Sequence, residues 1–400
     1  MVIGIDASRA NIKERTGTEW YAFFLIKNFI HLIPSSYKVI LYTKEPLREE
    51  FGTLPSNFVN KALGWPPRFL WTQVRLSFEM LVAKPDILFV PAHTIPIIHP
   101  RNTITTIHDV GFEREKKLYD SKNISYKSSF SQVVFRIIVR ILTLGKYGNT
   151  ELDYHRFSAR FALKHAKKIL TVSSFSKSEI KDVYNVKRDN VVVVPNGYDT
   201  DNFNQIRNYK EEKIIKELIG SGDTYILTIG RLGLKKNSIN IVKAFGEYKK
   251  NNPESQTKLI MIGNKDYGYS KVEDAINHYG ISQDIILPGW IDVTPYSHLL
   301  RGAEMFIFPS KYEGFGVPLL EAMACGIPII TSNAASMPEV CGEAAHYVNP
   351  DDVRDISKGI MIISSNNGYR SSLINKGLKR VKEYSWKITA AKTLTHIIGK

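Results

Sequence analysis

The chain has 400 residues, 43% apolar and 23% charged, with a formal net charge of +15. That length exceeds one compact core and points to two domains, and the composition reads as soluble and globular rather than disordered. No apolar run reaches the ~18 residues of a membrane-spanning helix, and two cysteines, Cys325 and Cys341, build neither a disulfide framework nor a zinc site.

The first residues, MVIGIDAS, enter an apolar run that stops at Asp6. Without a basic start and a long apolar stretch they read as a first β-strand of a cytoplasmic chain, not as a signal peptide. Similar runs follow: KVILYT (38–43), ILFVPA (87–92), TITTIHD (103–109), KILTVSS (168–174) and VVVVPNG (191–197). They are continuously apolar rather than alternating, as parallel strands buried on both faces should be. Helical patterns lie between them. TEWYAFFLIKNFIHLI follows the first strand, and SKSEIKDVYNV has Ser176 as its expected cap, with Glu179 three residues on.

From Tyr198 to Asp223 the sequence turns polar and glycine-punctuated, and then the pattern restarts. YILTIG (225–230), KLIMIG (258–263), DIILPGW (284–290), MFIFPS (305–310) and IPIITSN (327–333) alternate with helical segments. This predicts two doubly wound α/β domains in series, 1–196 and 197–385, with a C-terminal helix at 386–400 packing back toward the first. Ligands of such sheets bind beyond the carboxyl ends of the strands.

The surplus of cations suits an anionic partner. No zinc-finger, basic-zipper or RNA-binding signature is present, so nucleic acid is not the expected partner. Phosphate-bearing substrates and an anionic membrane surface are. Two segments carry the chemistry. In PSKYEGFGVPLLEAMA, Glu313 and Glu321 stand eight residues apart, with Gly314, Phe315 and Gly316 just before a helical run. Glycines admit a ligand close to the backbone, and a helix start offers free N–H groups to phosphate. Carboxylates are poor partners for phosphate but good acceptors from paired hydroxyls. A sugar on one side and a ribose on the other would satisfy both, which is the outline of a nucleotide-sugar. Taken singly, Glu313 reads equally as a turn residue and Glu321 as a solvated helix position. In YILTIGRLGLKKN, Arg231 and Lys236 follow a strand that ends at Gly230. Arg can grip phosphate with two bonds and Lys acts as a point charge; the ordinary alternative is two solvated cations. The P-loop spacing is absent.

Together these segments resemble the retaining glycosyltransferases of family 4, whose GT-B fold pairs two facing Rossmann-like doubly wound α/β domains across an interdomain cleft. GRLGLKKN and EGFGVPLLE carry most of the resemblance; PNGYDTDNF, YSWKITAAKTL, TIHDVGF and ILTVSSFSKSEI add to it. The resemblance implies that Arg231 and Lys236 hold the donor diphosphate and stabilise its departure. It implies that Glu313 binds hydroxyls of the transferred sugar, that Glu321 binds the ribose, and that Gly230, Asn237, Gly314, Phe315 and Gly316 complete the donor site. Gly17, in ERTGTEWYAF, resembles the family's glycine loop, although many relatives have a second glycine there. His108 would contact sugar or acceptor, beside Asp109 on the acceptor side; His93 is a weaker candidate of the same kind. The base pocket is expected in LIMIGNKDYG and ILPGWI.

The implied reaction moves a hexose from a nucleotide-sugar to a glycan or lipid-linked acceptor in polysaccharide or glycolipid synthesis. GDP-mannose is preferred from overall resemblance, with a UDP-hexose as the alternative donor. No metal or cofactor is expected beyond that donor. A nucleotide-sugar epimerase on the same fold and a non-catalytic membrane or glycan-binding protein are the rival readings. Finally, the long connection 113–165 holds Val133, Val134, Ile137, Ile138, Ile141 and Leu144 at helical spacing, with Arg136 and Arg140 sharing a face. That stretch could lie on the inner face of an anionic membrane or pack on the core.

Overall fold

The structure is a computed structural model that describes residues 1–65, 71–119, 151–206, 213, 215, 217 and 224–399. The chain divides into two compact units: Met1–Lys116, Asp120–Asn196 and Trp386–Lys400 in the first, and Lys117–Tyr119 with Gly197–Ser385 in the second. Arg136 and Arg140 lie outside the described residues.

The first unit is built on seven parallel strands: β1 (Val2–Asp6), β2 (Lys38–Thr43), β3 (Phe58–Ala62), β4 (Ile87–Val90), β5 (Thr103–Thr106), β6 (Lys168–Thr171) and β7 (Val191–Val193). Their order is β3-β2-β1-β4-β5-β6-β7. Both faces of the sheet are covered, which explains the continuous apolar runs. In β4, Ile87 and Phe89 pack with Leu25, Ile26 and Phe29 of the helix Gly17–Leu32. Leu88 and Val90 pack on the other side with Leu76, Met80, Ala162 and Ile180.

The helix Gly17–Leu32 starts with a capping box, Thr16 and Glu19 satisfying each other's donors. The C-terminal helix Trp386–Ile398 lies against it: the Trp386 ring stacks on Phe24 at 5.3 Å, and Thr389 Oγ1 donates to the Pro195 carbonyl at 2.8 Å. The helix Ser174–Tyr184 begins three residues earlier than its sequence suggests. Ser173, not Ser176, is the cap: its Oγ accepts the Ser176 N–H at 2.9 Å. Glu179, expected to close a capping box, instead faces Arg114 at 3.1 Å.

The second unit has six parallel strands: β8 (Tyr225–Ile229), β9 (Lys258–Ile262), β10 (Ile285–Gly289), β11 (Met305–Phe308), β12 (Ile329–Ser332) and β13 (Ala345–Val348), ordered β10-β9-β8-β11-β12-β13. The order reverses between β8 and β11, as it does between β1 and β4 in the first sheet. A reversal of this kind opens a crevice at the carboxyl ends of the two strands concerned. GRLGLKKN leaves β8 and PSKYEGFG leaves β11, so the two charged segments emerge side by side at that point.

Candidate active site

The segment after β8 is held by main-chain bonds. Gly230 donates to the Ile262 carbonyl at 2.9 Å, and Leu232 to that of Asn264 at 2.9 Å. Gly230 has φ +141°, and a side chain on the neighbouring Gly263 would stand 1.9 Å from the Gly230 oxygen, so two strand ends approach as only glycines allow. Asn237, at the start of the helix Ser238–Asn251, is buried. Its amide donates to the carbonyls of Pro309 (3.1 Å) and Pro350 (2.6 Å). The Lys311 N–H donates to the Lys235 carbonyl at 3.0 Å, which ties the two charged segments together.

This framework aims Lys236 at Glu313. Nζ lies 2.7 Å from Glu313 Oε1 and 4.6 Å from the centre of the Phe308 ring. Glu313 is buried and Lys236 part-buried. Removing one partner of a fully buried pair costs about 3–5 kcal/mol; the cost here is smaller because Lys236 keeps contact with water. Arg231 differs: it is exposed and has no hydrogen bond or ion pair among the described residues. Ser336 Oγ donates to the carbonyls of Glu313 (2.9 Å) and Phe315 (3.0 Å), fixing the glycine segment from beneath. Gly316 has φ +96° and opens the helix Val317–Ala324, whose first N–H groups therefore follow a left-handed residue with no side chain to cover them.

Glu321 lies one turn into that helix. Tyr296, buried on the helix Val293–Gly302, donates its hydroxyl to Glu321 Oε2 at 2.9 Å. Burial pushes the Glu321 carboxyl up to about 7; the Tyr296 bond opposes the rise and nearby Asp199 adds to it. Asp199 opens the acidic stretch Asp199-Thr200-Asp201. Its carboxylate is engaged in a turn, accepting from the Asp201 N–H (3.1 Å) and the Asn202 amide (2.6 Å). A cavity of about 630 Å³ is lined by Leu232 after β8, by Gly263, Asn264 and Lys265 after β9 and by Leu287 and Gly289 of β10. It joins the two segments expected to form the base pocket.

In the first unit the candidates are placed differently. Gly17 is exposed, has no positive φ, and a side chain there would meet nothing within 4 Å, so neither packing nor backbone demands a glycine. His108 follows β5, with Nε2 3.4 Å from the Pro91 carbonyl and its ring edge-on to Tyr21 at 4.6 Å. Burial pushes its pKa down to about 4, so the ring is neutral at physiological pH. Asp109 Oδ1 accepts the Gly111 N–H at 2.9 Å. His93 Nε2 meets His155 Nδ1 at 2.8 Å, and burial holds His93 well below its usual range.

Two family profiles match successive parts of the chain: Glycosyltransferase Family 4 over residues 17–202 and Glycosyl transferases group 1 over residues 209–380. The chain belongs to the group 1 glycosyltransferases. It is 29% identical to the O-antigen chain mannosyltransferase B of Escherichia coli over 74% of this chain and 77% of that one. It is 26% identical to the O-antigen chain mannosyltransferase RfbU of Salmonella typhimurium over 75% and 70%. Among solved structures, Anabaena HepE in complex with UDP and glucose superposes with a TM-score of 0.70, covering 100% of this chain and 99% of that one at 13% identity. At that identity the likeness is one of fold, the two parallel-sheet α/β units of GT-B.

In this glycosyltransferase, sequence reasoning missed Tyr296. It lies 25 residues from Glu321 along the chain, and only the packing of two helices brings its hydroxyl to the carboxylate. It also missed Asp6, a buried carboxylate at the end of β1 that accepts the Ser8 N–H at 3.0 Å. An acidic residue closing an apolar strand was the available signal for it.

Proposed function

We propose that the protein is a retaining hexosyltransferase that moves mannose from GDP-mannose, or in second place a hexose from its UDP donor, to a glycan or lipid-linked acceptor in polysaccharide or glycolipid synthesis. The observation that carries this reading is the Lys236–Glu313 pair at the β8–β11 crevice, with the exposed Arg231, which has no partner among the described residues, following the same strand, and with the helix start at Gly316. Arg231 and Lys236 hold the diphosphate and neutralise the charge that grows on it as the glycosidic bond breaks, the kind of prearranged stabilisation that dominates many rate enhancements. Phosphate displaces Glu313 as the partner of Lys236 and leaves the carboxylate free for sugar hydroxyls. Backbone N–H groups after Phe315 and Gly316 support the phosphate. Glu321, with Oε2 held by Tyr296, offers Oε1 to the ribose. The departing diphosphate oxygen takes the acceptor proton, and Glu313 is not the general base.

The mannose preference is supported by the names of the two bacterial relatives, and the UDP alternative by the nucleotide in the Anabaena structure. The deciding experiment is a thermal-shift screen of GDP, UDP, ADP and their sugars on wild type and Arg231→Ala. A ligand that binds only the native state raises the melting point once its concentration passes its Kd. A shift with guanine nucleotides that the variant loses supports the reading. No shift with any nucleotide overturns it.

A further inference from the structure

At the carboxyl end of β4 the first unit gathers polar side chains from three elements. β4 lies beside β1 where the strand order reverses, the place at which open sheets of this kind hold ligands. His93 and Thr94 follow the strand. The helix Glu151–His165 supplies Tyr154, His155 and Ser158, which fall within about 100° of one another around its axis. Gln73 comes from the helical segment Trp71–Leu76. Two bonds join these elements. His93 Nε2 meets His155 Nδ1 at 2.8 Å, and the Gln73 amide donates to the Tyr154 hydroxyl at 2.6 Å.

Three polar atoms on these elements make no hydrogen bond: Gln73 Oε1, Thr94 Oγ1 and Ser158 Oγ. Their residues are only 5%, 3% and 3% exposed. A serine inside a helix ordinarily donates to the carbonyl four residues back, as Ser77 does to Gln73; Ser158 does not. Buried polar groups are bonded as a rule, and each one left unpaired weakens the fold. Stability therefore gives no reason to keep three together, whereas a ligand does. His93, Tyr154 and His155 are part-exposed, so the group opens to solvent on their side. The chemistry of the three atoms selects the ligand. The amide oxygen only accepts, and the two hydroxyls donate or accept. Nearby charges are spent on one another, since Arg156 pairs with Glu113 at 3.2 Å and with Asp153 at 3.3 Å. A phosphate or a carboxylate is a poor match because neither donates to Gln73 Oε1. A sugar hydroxyl donates and accepts at once.

We propose that Gln73, Thr94 and Ser158, rimmed by His93 and His155, bind the hydroxyls of an uncharged sugar residue of the acceptor. Gln73 Oε1 takes a proton from one hydroxyl, and Thr94 and Ser158 complete the bonds of its neighbours. That the sugar belongs to the acceptor rests on the transferase reading above; the site itself stands on the three unpaired atoms, and it does not depend on which sugar the donor carries.

The test is a titration of the full chain, labelled with nitrogen-15 at histidine, with the methyl glycosides of mannose, glucose, galactose and N-acetylglucosamine. The imidazole signals of His93 and His155 are identified by their loss in His93→Gln and His155→Gln. At least one glycoside should move both signals to saturation. Thr94→Val with Ser158→Ala removes two unpaired hydroxyls at nearly constant shape. It should weaken that glycoside about tenfold or more, as for loss of buried hydrogen bonds, while the melting point holds or rises and its nucleotide-induced shift is unchanged. Signals that no glycoside moves overturn the proposal, as does undiminished binding by the double variant. So does a fall of several degrees in that variant's melting point, which would make the hydroxyls structural groups satisfied by bound water. Guanine nucleotides that raise the melting point while no glycoside reaches His93 leave the donor reading intact and remove this site. A glycoside that binds while no nucleotide does keeps this site and removes the donor reading.

Discussion

The candidate residues of the second unit and those of the first are held in different ways. After β8 and β11, the main chain and the Asn237 amide take up the structural bonds, and the charged groups remain available: Arg231 has no partner among the described residues, and Lys236 has one that phosphate can replace. After β5, the Asp109 carboxylate is engaged in a turn and the His108 ring is close to a carbonyl and packed on Tyr21. Gly17 lies between these cases, since the fold makes no demand on it. A residue that the fold does not need is the better witness for a ligand, and by that standard the second unit speaks more plainly than the first.

Four substitutions break or sharpen this contrast. The largest effect should come from Lys236→Ala. It removes the cation beside the departing phosphate and strands Glu313, so transfer from the donor should fall about 10²–10³-fold, as for loss of one transition-state donor, and the melting point should drop in the same protein. Arg231→Ala comes next. Donor affinity should fall about tenfold or more in a titration, yet stability should stay within about 0.5 kcal/mol, the usual range for a surface position. An Arg231→Ala protein that melts early would put Arg231 in the structural class.

Glu321→Gln sharpens the contrast through pH. Its carboxyl is raised from 4.5 to about 7, so between those values the native state keeps a proton that the unfolded chain has released. Its contribution to stability is full below the unfolded value and is lost as the pH rises through about 7. Melting curves should show that decline in wild type and a flatter profile in the variant. If the ionised form receives the ribose, nucleotide affinity should rise several-fold from about pH 6 to about pH 8 in wild type alone. The smallest structural effect belongs to Gly17→Ala. Stability should hold or rise by about 0.5–1 kcal/mol, as for alanine replacing glycine in a helix. A lower transfer rate in that stable protein would show that the space above Gly17 is needed by substrate; an unchanged rate would remove Gly17 from the site.

The fold was legible where burial is symmetrical. Every central strand was announced by a continuous apolar run because helices cover both faces of each sheet. The two strands that escaped, β3 and β13, are edge strands. In β3, FVNKA, only Phe58 is buried, so no run forms; β13, AHYV, is short and partly exposed. Ser173 was passed over as a cap because Ser176 and Glu179 stand at the same spacing and hydroxyls look alike without a backbone. In the candidate site, the glutamate pair, the glycines and the cations could be read because they are close in sequence and chemically unusual. The Tyr296–Glu321 bond could not, because it is made by helix packing alone.

The return of Trp386–Ile398 to the first unit has a consequence for biosynthesis. The cluster formed by Ile3, Ile5, Leu25 and Phe29 is closed by Trp386, Leu394 and Ile397. On the ribosome, residues 1–196 must therefore wait, with one hydrophobic side uncovered, until the helix Trp386–Ile398 has left the exit tunnel. The second unit, Gly197–Ser385 in the main, can complete itself before then. The half made first is finished after the second, and a stop codon just before Trp386 would fall on the core of the amino-terminal unit.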